Sequence, residues 1–551
     1  MVDFPAFHTA AWRHKTGLAL SGGGLRASLF HIGVLGRLAE LDLLRCVDVI
    51  STVSGGSIIG AYYYLKIKEL LEGRRADRLP PSQEAYIRLV REIEAEFLRA
   101  VQKNLRMRAF LDWRKNARIF RESYSSTDRM AELYTDLLYA PIQGTTGLLL
   151  KDLPIQPAVF PTPVGELPAK IPSLILNATA LNTGNLWQFT GAFVGEETSG
   201  YHRPASQMPA MPKLYFDSPA LTPAQRYRLD RLTLGQAVAA SCCVPGLFEP
   251  LSLSGLYQSE AGENIVIRLV DGGVFDNQGL VSLFAAGCTQ VLCSDASDLL
   301  KHAPDPSTGL INIAMRANEI MMDRIRNKIL DDLFARPPQT HAFFHLGAAV
   351  SQQTFPDDAP QLLYALSHIR TDLDSFTDQE ADALMYYGYR LVSESWPDSA
   401  ARADWRFLRI QDLLRDKTQR QVLLKYLGVG SKQFFKVFFL GQRLPYVIVL
   451  AALMVPLSAG AFVLSFLPWW VSALLGLGLL SSIAYSQNAR INQYLNRVER
   501  LRRARRRLAK AMAPLGIPTL LGLSVAVAAR VYLNIFDRLF LHYGRIGRRT
   551  P

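Results

Sequence analysis

Short, wholly apolar runs alternate with longer runs of helical spacing through the first 70 residues. The run 16–20 (TGLAL) predicts a buried strand, and SLFHIGVLGRLAELDLL, after a glycine loop, places apolar residues three and four positions apart, as in a helix. CVDVISTV then predicts a second buried strand, and SIIGAYYYLKIKELL a second helix. This order predicts parallel strands joined by right-handed crossovers, and therefore an α/β fold.

Later apolar runs extend the same pattern. Further strands are predicted at 173–183 (SLILNATALNT), in IVIRLVDGGVFDNQGL and in TQVLCSDAS, and TLGQAVAASCCVPGLFEPL predicts a helix that ends before Pro245. Residues 75 to about 140 are charged and amphipathic, and EAYIRLVREIEAEFLRAVQ is their clearest helix. This segment predicts a helical insertion beside the sheet.

The C-terminal region has a different pattern. From Leu444 to Ala489 the chain contains no Asp, Glu, Lys or Arg, and Pro468 divides this run into two halves. Each half is close to the roughly 20 residues that a membrane-spanning helix needs. Basic residues precede and follow the run, which predicts a membrane hairpin at 445–487 with both ends in the cytoplasm. The alternative is a buried helical hairpin in a soluble domain.

A third apolar stretch, 512–529, is followed by a basic amphipathic segment. A third span would place arginines near the C-terminus on the outside, so an interfacial or re-entrant element suits it at least as well. The number of spans after residue 510 therefore stays open.

The charge of the chain is concentrated in this tail. The protein has 551 residues and a net charge of +13, yet residues 421–551 carry 18 Lys and Arg against 2 Asp and Glu, so the rest is slightly acidic. This distribution argues against a general nucleic-acid-binding domain, and RRARRRLAK beside membrane helices indicates contact with anionic lipids. We predict a catalytic domain at 1–420, with its core at 16–300, and a basic membrane-associated region at 421–551.

The cysteines and the N-terminus indicate the compartment. The cysteines are odd in number and show no metal-ligand spacing, which predicts reduced thiols and a cytosolic catalytic domain. The first residues contain no apolar h-region, so no secretory signal peptide is predicted. The cysteines are Cys46, Cys242, Cys243, Cys288 and Cys293.

Small residues surround one serine in Thr52-Val53-Ser54-Gly55-Gly56, between a predicted strand and a predicted helix. A nucleophile elbow needs small neighbours because its turn is sharp and strained. Thr52 stands where the usual G-x-S-x-G pattern has its first glycine. The stretch predicts a nucleophile at Ser54, and an ordinary strand-to-helix turn is the alternative.

The glycine loop Ser21–Gly24 opens the first predicted helix. Backbone N–H groups at a helix N-terminus form an anion site, which can hold a phosphate or a developing oxyanion. A nucleotide loop is disfavoured, because no G-x-x-x-x-G-K-[ST] is present and Ala27 occupies the last position of G-x-G-x-x-G. A tight turn is the purely structural alternative.

Asp271 heads the stretch DGGVFDNQG at the end of a predicted strand. In open α/β sheets, ligands bind at the carboxyl ends of the strands. A serine hydroxyl needs a base, and a carboxylate within hydrogen-bond distance of Ser54 can accept its proton. The alternatives are a turn cap, or a metal site of Asp271, Asp276 and Asn277 that lacks further clustered ligands.

A Ser-His-Asp triad is the rival of a Ser-Asp pair. None of the nine histidines lies at a glycine-flanked strand end. His31 follows the glycine loop and is interpreted as a packing or supporting residue, whereas His341 and His345 in THAFFHL are candidate strand residues that stay open. The Ser-Asp pair is better supported.

SGGGLRA, STVSGGS and DGGVFDNQG, in this order, resemble the motifs of the patatin-like phospholipases, as do ILNATALNTG and AVAASCCVPGLFEPL between them. The resemblance covers roughly residues 16–300. It implies a three-layer α/β fold with a mostly parallel sheet and a Ser-Asp dyad that hydrolyses acyl esters of lipids without a metal or cofactor. The predicted insertion at 75–140 is then a candidate lid or acyl-channel wall.

Carried onto this chain, the resemblance implies that Ser54 is the nucleophile and Asp271 the general base. Thr52 and Ala27 replace glycines of the family pattern. The other implied residues are Gly22, Gly23, Gly24 and Gly55 for the oxyanion hole, and Arg26, Gly56, Gly272 and Gly273 as supporting positions.

The expected function is a membrane-anchored serine lipid acyl hydrolase that cleaves glycerophospholipids or lysophospholipids, with its catalytic domain on the cytoplasmic side. A non-catalytic lipid-binding scaffold on the same fold and a lipid acyltransferase are the alternatives. Nucleic acid is not an expected partner.

Overall fold

The computed structural model describes residues 4–119, 124–144, 147–157, 167–197, 211–259, 262–298, 300, 302–348, 359–397, 403–447 and 517–546. They fall into two compact units. The first consists of the described parts of 1–109, 125–433 and 541–551, and the second of those of 110–124 and 434–540.

A mixed sheet of ten strands forms the centre of the first unit. Its order is β10-β9-β1-β2-β3-β4-β5-β6, with β8 paired to β3 and β7 paired to β8. The strands from β10 to β3 in this order are parallel, and the remaining pairings are antiparallel. The strands are β1 Thr16–Leu20, β2 Val47–Val53, β3 Ser173–Ala180, β4 Leu186–Phe189, β5 Phe193–Glu197, β6 Leu214–Tyr215, β7 Leu251–Gln258, β8 Asn264–Asp271, β9 Gln290–Asp295 and β10 His341–His345.

The helices of the described residues range from single turns to 25 residues. The α-helices are α1 Phe4–Arg13, α2 Gly24–Glu40, α3 Gly55–Leu71, α4 Gln83–Val101, α5 Leu105–Arg108, α6 Trp113–Ile119, α7 Ser126–Tyr134, α8 Ala140–Gln143, α9 Pro223–Leu229, α10 Leu234–Ser241, α11 Leu280–Ala285, α12 Leu310–Phe334, α13 Ala359–Ser367, α14 Asp378–Ser395, α15 Ile410–Arg415, α16 Lys417–Val429, α17 Ile517–Val531 and α18 Arg538–Tyr543. Segments Thr135–Tyr139 and Tyr532–Asp537 are π-helical, and short 3-10 turns lie at Leu150–Asp152, Gly272–Val274, Pro338–Thr340, Arg406–Arg409 and Lys436–Leu440.

Alternate residues of the strands face two separate layers of helices. Leu18 and Leu20 of β1 belong to the main core with α2, α3, α4 and α14, whereas Ala19 faces a smaller core built with α11 and the end of α12. Apolar side chains on both faces are typical of a parallel sheet covered by helices. The predicted α/β fold with parallel strands is therefore confirmed for the centre of this sheet.

One edge of β3 is shared by two strands that approach tip to tip. β2 runs parallel to β3 until Val53 pairs with Asn177, and β8 runs antiparallel until Asp271 pairs with Ala178. Since β4 already pairs with Asn177 and Ala178 on the other edge, β2 and β8 lie on the same edge. Their carboxyl ends therefore meet at consecutive residues of β3.

Near the N-terminus, the predicted strands and helices agree closely with those of the structure. β1 has the predicted bounds, β2 begins one residue later, and β10 contains the two histidines proposed as strand residues. The helical insertion predicted at 75 to about 140 is not one element beside the sheet. Its helix α4 is buried in the main core through Ile87, Ile93 and Phe97, whereas residues 110–124 belong to the second unit. The domain boundary at 420 stays a prediction, and the first unit extends to Gln433.

The second unit contains α6 and α17, which approach closely. A Cβ on Gly522 would lie 2.8 Å from the Trp113 carbonyl oxygen, and the Asn116 side chain donates to the Gly522 carbonyl at 3.4 Å. The Phe435 ring packs edge-on against Phe536.

The predicted hairpin at 445–487 lies outside the described residues, apart from 445–447. In the part of the chain that is described, no helix combines the length and apolar character that crossing a bilayer requires.

Two glycines allow α2 and α14 to cross backbone to backbone. A Cβ on Gly33 would lie 1.7 Å from the Met385 carbonyl oxygen, and one on Gly388 would lie 2.4 Å from that of Phe30. A side chain at either position would force the two helices apart, so this crossing depends on glycine.

We expect Gly33→Ala to lower the free energy of unfolding by about 2 kcal/mol or more, because the added methyl group overlaps backbone that has no room to move. Gly36→Ala is the matched control on the same helix, since its Cβ would meet the Trp405 ring at 3.4 Å, an ordinary contact. Thermal unfolding followed by tryptophan fluorescence tests this. Equal melting temperatures for the two variants would contradict the close crossing.

Candidate active site

Ser54 occupies a strained turn between β2 and α3. Its φ of 51° and ψ of −121° lie in a region that residues with a side chain rarely adopt. Such strain persists only where the surroundings hold it, and it clusters at functional sites. The turn places Ser54 at the N-cap of α3, where the positive end of the helix dipole lies.

Two neighbours from the end of α10 hold the backbone on either side of this serine. The Ser54 N–H donates to Ser241 Oγ at 3.0 Å, and the Cys242 thiol donates to the Ser54 carbonyl at 3.1 Å. Burial raises the pKa of Cys242 well above its ordinary value, so the thiol keeps the proton it donates. The sequence pattern predicted neither role and indicated only a reduced thiol at Cys242. The signal was present in AASCCVPG, where small polar residues follow a helix.

Asp271 meets Ser54 because β2 and β8 end against each other on β3. Its carboxylate accepts the Gly273 N–H at 2.8 Å, and the neighbouring Ser54 side chain also acts on its pKa. Burial raises the pKa of Asp271 to about 6, and these two neighbours act in the opposite direction. The carboxylate is thus ionised at neutral pH, yet it is a stronger base than an exposed aspartate.

The glycine loop wraps around the serine turn. A Cβ on Gly22 would lie 3.2 Å from the Ser54 Cβ, and one on Gly55 would lie 1.9 Å from the Gly24 carbonyl oxygen and 2.8 Å from its nitrogen. One on Gly56 would lie 2.2 Å from the Leu20 carbonyl oxygen. Glycine at these positions lets the first turn of α3 rest directly on the backbone of the loop.

The N–H groups of this loop differ in their partners. The Gly22 N–H donates to the Asn277 carbonyl at 2.9 Å, so it is engaged within the fold. To any residue that the structure describes, the N–H groups of Gly23, Gly24 and Gly55 form no hydrogen bond. Gly23 and Gly24 have φ of 135° and 59°, which favour glycine and direct the loop into the start of α2. Of the four predicted oxyanion donors, Gly22 thus has its N–H engaged within the fold, and the role of Gly23, Gly24 and Gly55 stays a prediction.

The glycines after Asp271 are needed for close packing. A Cβ on Gly272 would lie 2.4 Å from the Asn177 carbonyl oxygen, and one on Gly273 would lie 2.7 Å from Asn277 Oδ1. Asp276 accepts the backbone N–H groups of Gln278, Gly279 and Val281 at 2.8 to 3.0 Å. Asp276 thus braces the DNQG loop, which explains this carboxylate without a metal ion.

Arg26, in the first turn of α2, is buried and links the glycine loop to neighbouring loops. Its guanidinium donates to Asp298 at 2.6 Å, to the Ala296 carbonyl at 2.7 Å and to the Ser367 and Ile369 carbonyls at 3.0 and 3.2 Å. These bonds join the start of α2 to the loop after β9. At this predicted supporting position the guanidinium thus holds loops that flank the glycine loop, and a supporting role for Arg26 in catalysis stays a prediction.

The histidines have partners other than Ser54. His31 contacts Ser294 Oγ at 2.6 Å and the Ser21 carbonyl at 3.0 Å, and burial lowers its pKa to about 4, as suits a neutral supporting residue. His345 Nε2 lies 3.9 Å from the Asp295 carboxylate at the ends of β10 and β9. The geometry therefore places His345 in a separate polar cluster.

Comparison with known families agrees with this arrangement. Residues 18–283 match the model of the patatin-like phospholipase family, from within β1 to α11. The match covers just under half of the 551 residues of this chain. It contains the glycine loop, Ser54 and Asp271, and it ends before α12. A search of the curated proteins found no match.

Solved structures similar to this chain include human GIVD cytosolic phospholipase A2, at 14% identity over 71% of this chain and 61% of that chain, with a TM-score of 0.38. The same human protein in complex with methyl gamma-linolenyl fluorophosphonate matches at 16% identity over 77% and 62%, with a TM-score of 0.38. The matches thus span about three fifths of the length of those chains.

Thr52, which stands where the G-x-S-x-G pattern has its first glycine, is accommodated by a glycine in α3. A Cβ on Gly60 would lie 2.4 Å from the Thr52 methyl group. The Thr52 hydroxyl bonds with Ser57 Oγ at 2.9 Å and donates to the Ile175 carbonyl at 3.1 Å, and Ser57 Oγ contacts Ser241 Oγ at 2.8 Å. Thr52 therefore begins the hydrogen-bonded chain that ends at the Ser54 N–H.

Ala27 replaces the glycine expected after Arg26. Its methyl carbon lies 3.2 Å from where a Cβ on Gly23 would be. The loop accepts Ala27 because the facing residue has no side chain.

We expect Thr52 and Gly60 to be strongly coupled. Gly60→Ala alone clashes with the Thr52 methyl group and should lower stability by about 1 to 3 kcal/mol, with a matching loss of serine reactivity. Thr52→Ser keeps the hydroxyl chain and removes that methyl group, so the Cβ added by Gly60→Ala would then meet the Cβ of residue 52 at 3.4 Å, an ordinary contact. A double-mutant cycle of urea unfolding measures the coupling. Additive effects would show that the methyl contact is unimportant.

Proposed function

We propose that this protein is a serine hydrolase of lipid acyl esters, with Ser54 as the nucleophile and Asp271 as the general base. The observation that carries the proposal is Ser54 on a strained elbow beside the buried carboxylate of Asp271, whose pKa is raised to about 6. The patatin-like phospholipase match over residues 18–283 supports a lipid ester as the substrate.

Acylation begins when Asp271 accepts the Ser54 proton and Oγ attacks the ester carbonyl carbon. The carbonyl oxygen becomes an oxyanion, and its proposed donors are the N–H groups of Gly23, Gly24 and Gly55, which have no partner among the described residues. Each such donor is typically worth about 3 kcal/mol of transition-state stabilisation. The N-termini of α2 and α3 add their positive dipole ends on the same side.

Collapse of the tetrahedral intermediate breaks the bond between the carbonyl carbon and the alcohol oxygen. The protonated Asp271 returns its proton to the departing alcohol, which leaves as the lysolipid, and the acyl group stays on Ser54. Water then gives a proton to Asp271 and attacks the acyl-enzyme, and Ser54 recovers its proton as the fatty acid leaves. A lipid alcohol in place of water would yield acyl transfer through the same intermediate.

Apolar side chains at the rim of this site suit an acyl-chain substrate. The loop after Cys243 exposes Val244 and Leu247, and 66% of Leu247 is accessible to solvent. The Cys243 carbonyl accepts the Asp271 N–H at 2.9 Å, so this loop begins beside the proposed base. We propose glycerophospholipids or lysophospholipids as substrates.

Attachment to a membrane is a further part of the proposal, and it rests on the sequence. The uncharged run at 445–487 would anchor the catalytic domain on the cytoplasmic side, and the basic tail would contact anionic lipids. Tethering raises the local concentration of enzyme at its substrate.

A fluorophosphonate probe tests the dyad. We expect Ser54→Ala to abolish labelling and fatty-acid release from phospholipid micelles, and Asp271→Asn to reduce both by a hundredfold or more, because the hydroxyl then lacks a base. His345→Gln, which alters the rival histidine, should keep both activities when its melting temperature is unchanged. Loss of labelling and fatty-acid release in a folded His345→Gln variant, or labelling that persists in Ser54→Ala, would refute the assignment of the dyad. Labelling with acylated alcohol instead of fatty acid as product would indicate a transferase.

The rate should follow ionisation of Asp271. Since the base acts only when deprotonated and its pKa is about 6, kcat/KM for a soluble ester should rise about tenfold per pH unit below pH 6 and level off above it. Because folding raises the pKa of Asp271, its protonation stabilises the folded state. The fall in kcat/KM below pH 6 is therefore not explained by unfolding that protonation of Asp271 would cause. Tryptophan fluorescence measured at each pH is the control, since it shows whether the protein stays folded. A midpoint near pH 4 in the dependence of kcat/KM on pH would contradict a buried base.

A further inference from the structure

Helix α12 runs alongside β9 for only the last third of its length. Arg326 donates to the carboxylate of Asp295, the last residue of β9, at 2.9 and 3.2 Å. Ile329, Leu330 and Leu333 then pack under the sheet, and Arg336 donates to the carbonyl of Cys288, before β9 begins, at 3.1 Å. The helix therefore passes from the carboxyl end of β9 towards its amino end.

The part of α12 before Arg326 must continue beyond the carboxyl edge of the sheet. At 1.5 Å per residue, residues 310–325 extend about 24 Å past Asp295. We call these residues the projecting segment. Its described side chains are exposed or half-exposed, and Ile313 and Met321 have 50% and 58% of their surface accessible. A soluble helix usually buries one face, and this segment does not.

The exposed apolar residues of the projecting segment share one side of the helix. Ile313, Ala317 and Ile320 follow one another at spacings of four and three, and Met321 and Ile325 adjoin them. Arg324 continues the same line, and Lys328, which forms an exposed ion pair with Asp332 at 3.3 Å, follows it one turn later. The acidic residues Glu319 and Asp323 lie on the other side.

The projecting segment leaves the sheet at the edge where Ser54 lies. β9 pairs with β1, and the residues after each strand are joined: the Ala296 N–H donates to Ser21 Oγ at 2.7 Å. A Cβ on Gly23 would lie 2.9 Å from the Ala296 carbonyl oxygen. The base of the segment thus adjoins the glycine loop, and the exposed Val244 and Leu247 belong to the same edge.

We propose that the projecting segment docks this face of the protein onto an anionic lipid bilayer. Ile313, Ile320, Met321 and Ile325 enter the interfacial region, and Arg324 and Lys328 contact anionic headgroups. An amphipathic helix with an apolar side bordered by basic residues has this property in general. The proposal rests on the proposed function, because it assigns the surface from which a lipid substrate would reach Ser54.

A bilayer fits these observations better than a second copy of the chain. A helix-to-helix contact between copies would place Arg324 at an apolar seam where the projecting segment offers it no acidic residue. Glu319 and Asp323 are directed to the opposite side, where they would face water above a membrane.

Site-specific fluorescence tests the docking in the full-length chain. All five native cysteines are buried, so a single exposed cysteine can be labelled with a polarity-sensitive fluorophore. Met321→Cys carries the probe, in a Ser54→Ala background so that the vesicles are not consumed. Ile171→Cys is the matched control, because Ile171 is 49% exposed and precedes β3, at the opposite edge of the sheet.

With phosphatidylglycerol vesicles we expect the emission at position 321 to shift to the blue and to rise at least twofold, with a smaller response to phosphatidylcholine and none at position 171. Equal responses at both positions, or no response at 321 in chains that float with the vesicles, would overturn the proposal. A response that depends on protein concentration without lipid would overturn it in favour of self-association.

Catalysis gives a second measurement. Ile313→Ser combined with Ile320→Ser should lower hydrolysis of phosphatidylglycerol vesicles at least tenfold, while hydrolysis of a soluble short-chain ester stays within twofold of wild type. An equal loss on both substrates would contradict docking. A third outcome separates the two proposals. If the probe at position 321 inserts into vesicles but the wild-type chain hydrolyses neither substrate, the proposed function is refuted and the docking surface is still supported.

Discussion

The shared edge of β3 is the constraint on which the rest of the site depends. Val53 and Asp271 end their strands against consecutive residues, Asn177 and Ala178, so backbone hydrogen bonds determine how far the serine lies from the carboxylate. Side-chain rotamers then need only small adjustment. This differs from a site assembled on separate loops, whose geometry would follow each loop's own fluctuations.

Around that constraint, buried polar groups hold a strained residue without exposing it to water. The Asn177 side chain donates to Ser51 Oγ at 2.9 Å and to the Thr52 carbonyl at 3.0 Å, and accepts from Ser282 Oγ at 2.6 Å. Such a network is costly unless every member is paired, and here it links β2, β3 and the helix after DNQG. The same burial that rigidifies the elbow also raises the basicity of Asp271.

Local patterns were enough to predict β1, β2 and the first two crossover helices, and they single out the glycine-flanked residues Ser54 and Asp271 as candidates. They were not enough for β8, because an apolar run does not reveal whether its strand is parallel, and Asp271 reaches Ser54 through an antiparallel approach. The roles of Ser241 and the engagement of the Gly22 N–H depend on contacts with residues distant in sequence. No periodicity encodes such contacts, so they required the fold.

The contact between Thr52 and Gly60 limits which residue pairs the elbow can accept. A methyl group at residue 60 and one at residue 52 compete for the same space. Threonine therefore fits at the elbow only while glycine stands in α3, and a side chain at residue 60 fits only when residue 52 is smaller than threonine. The choice of residue at the elbow is thus tied to a position on the following helix.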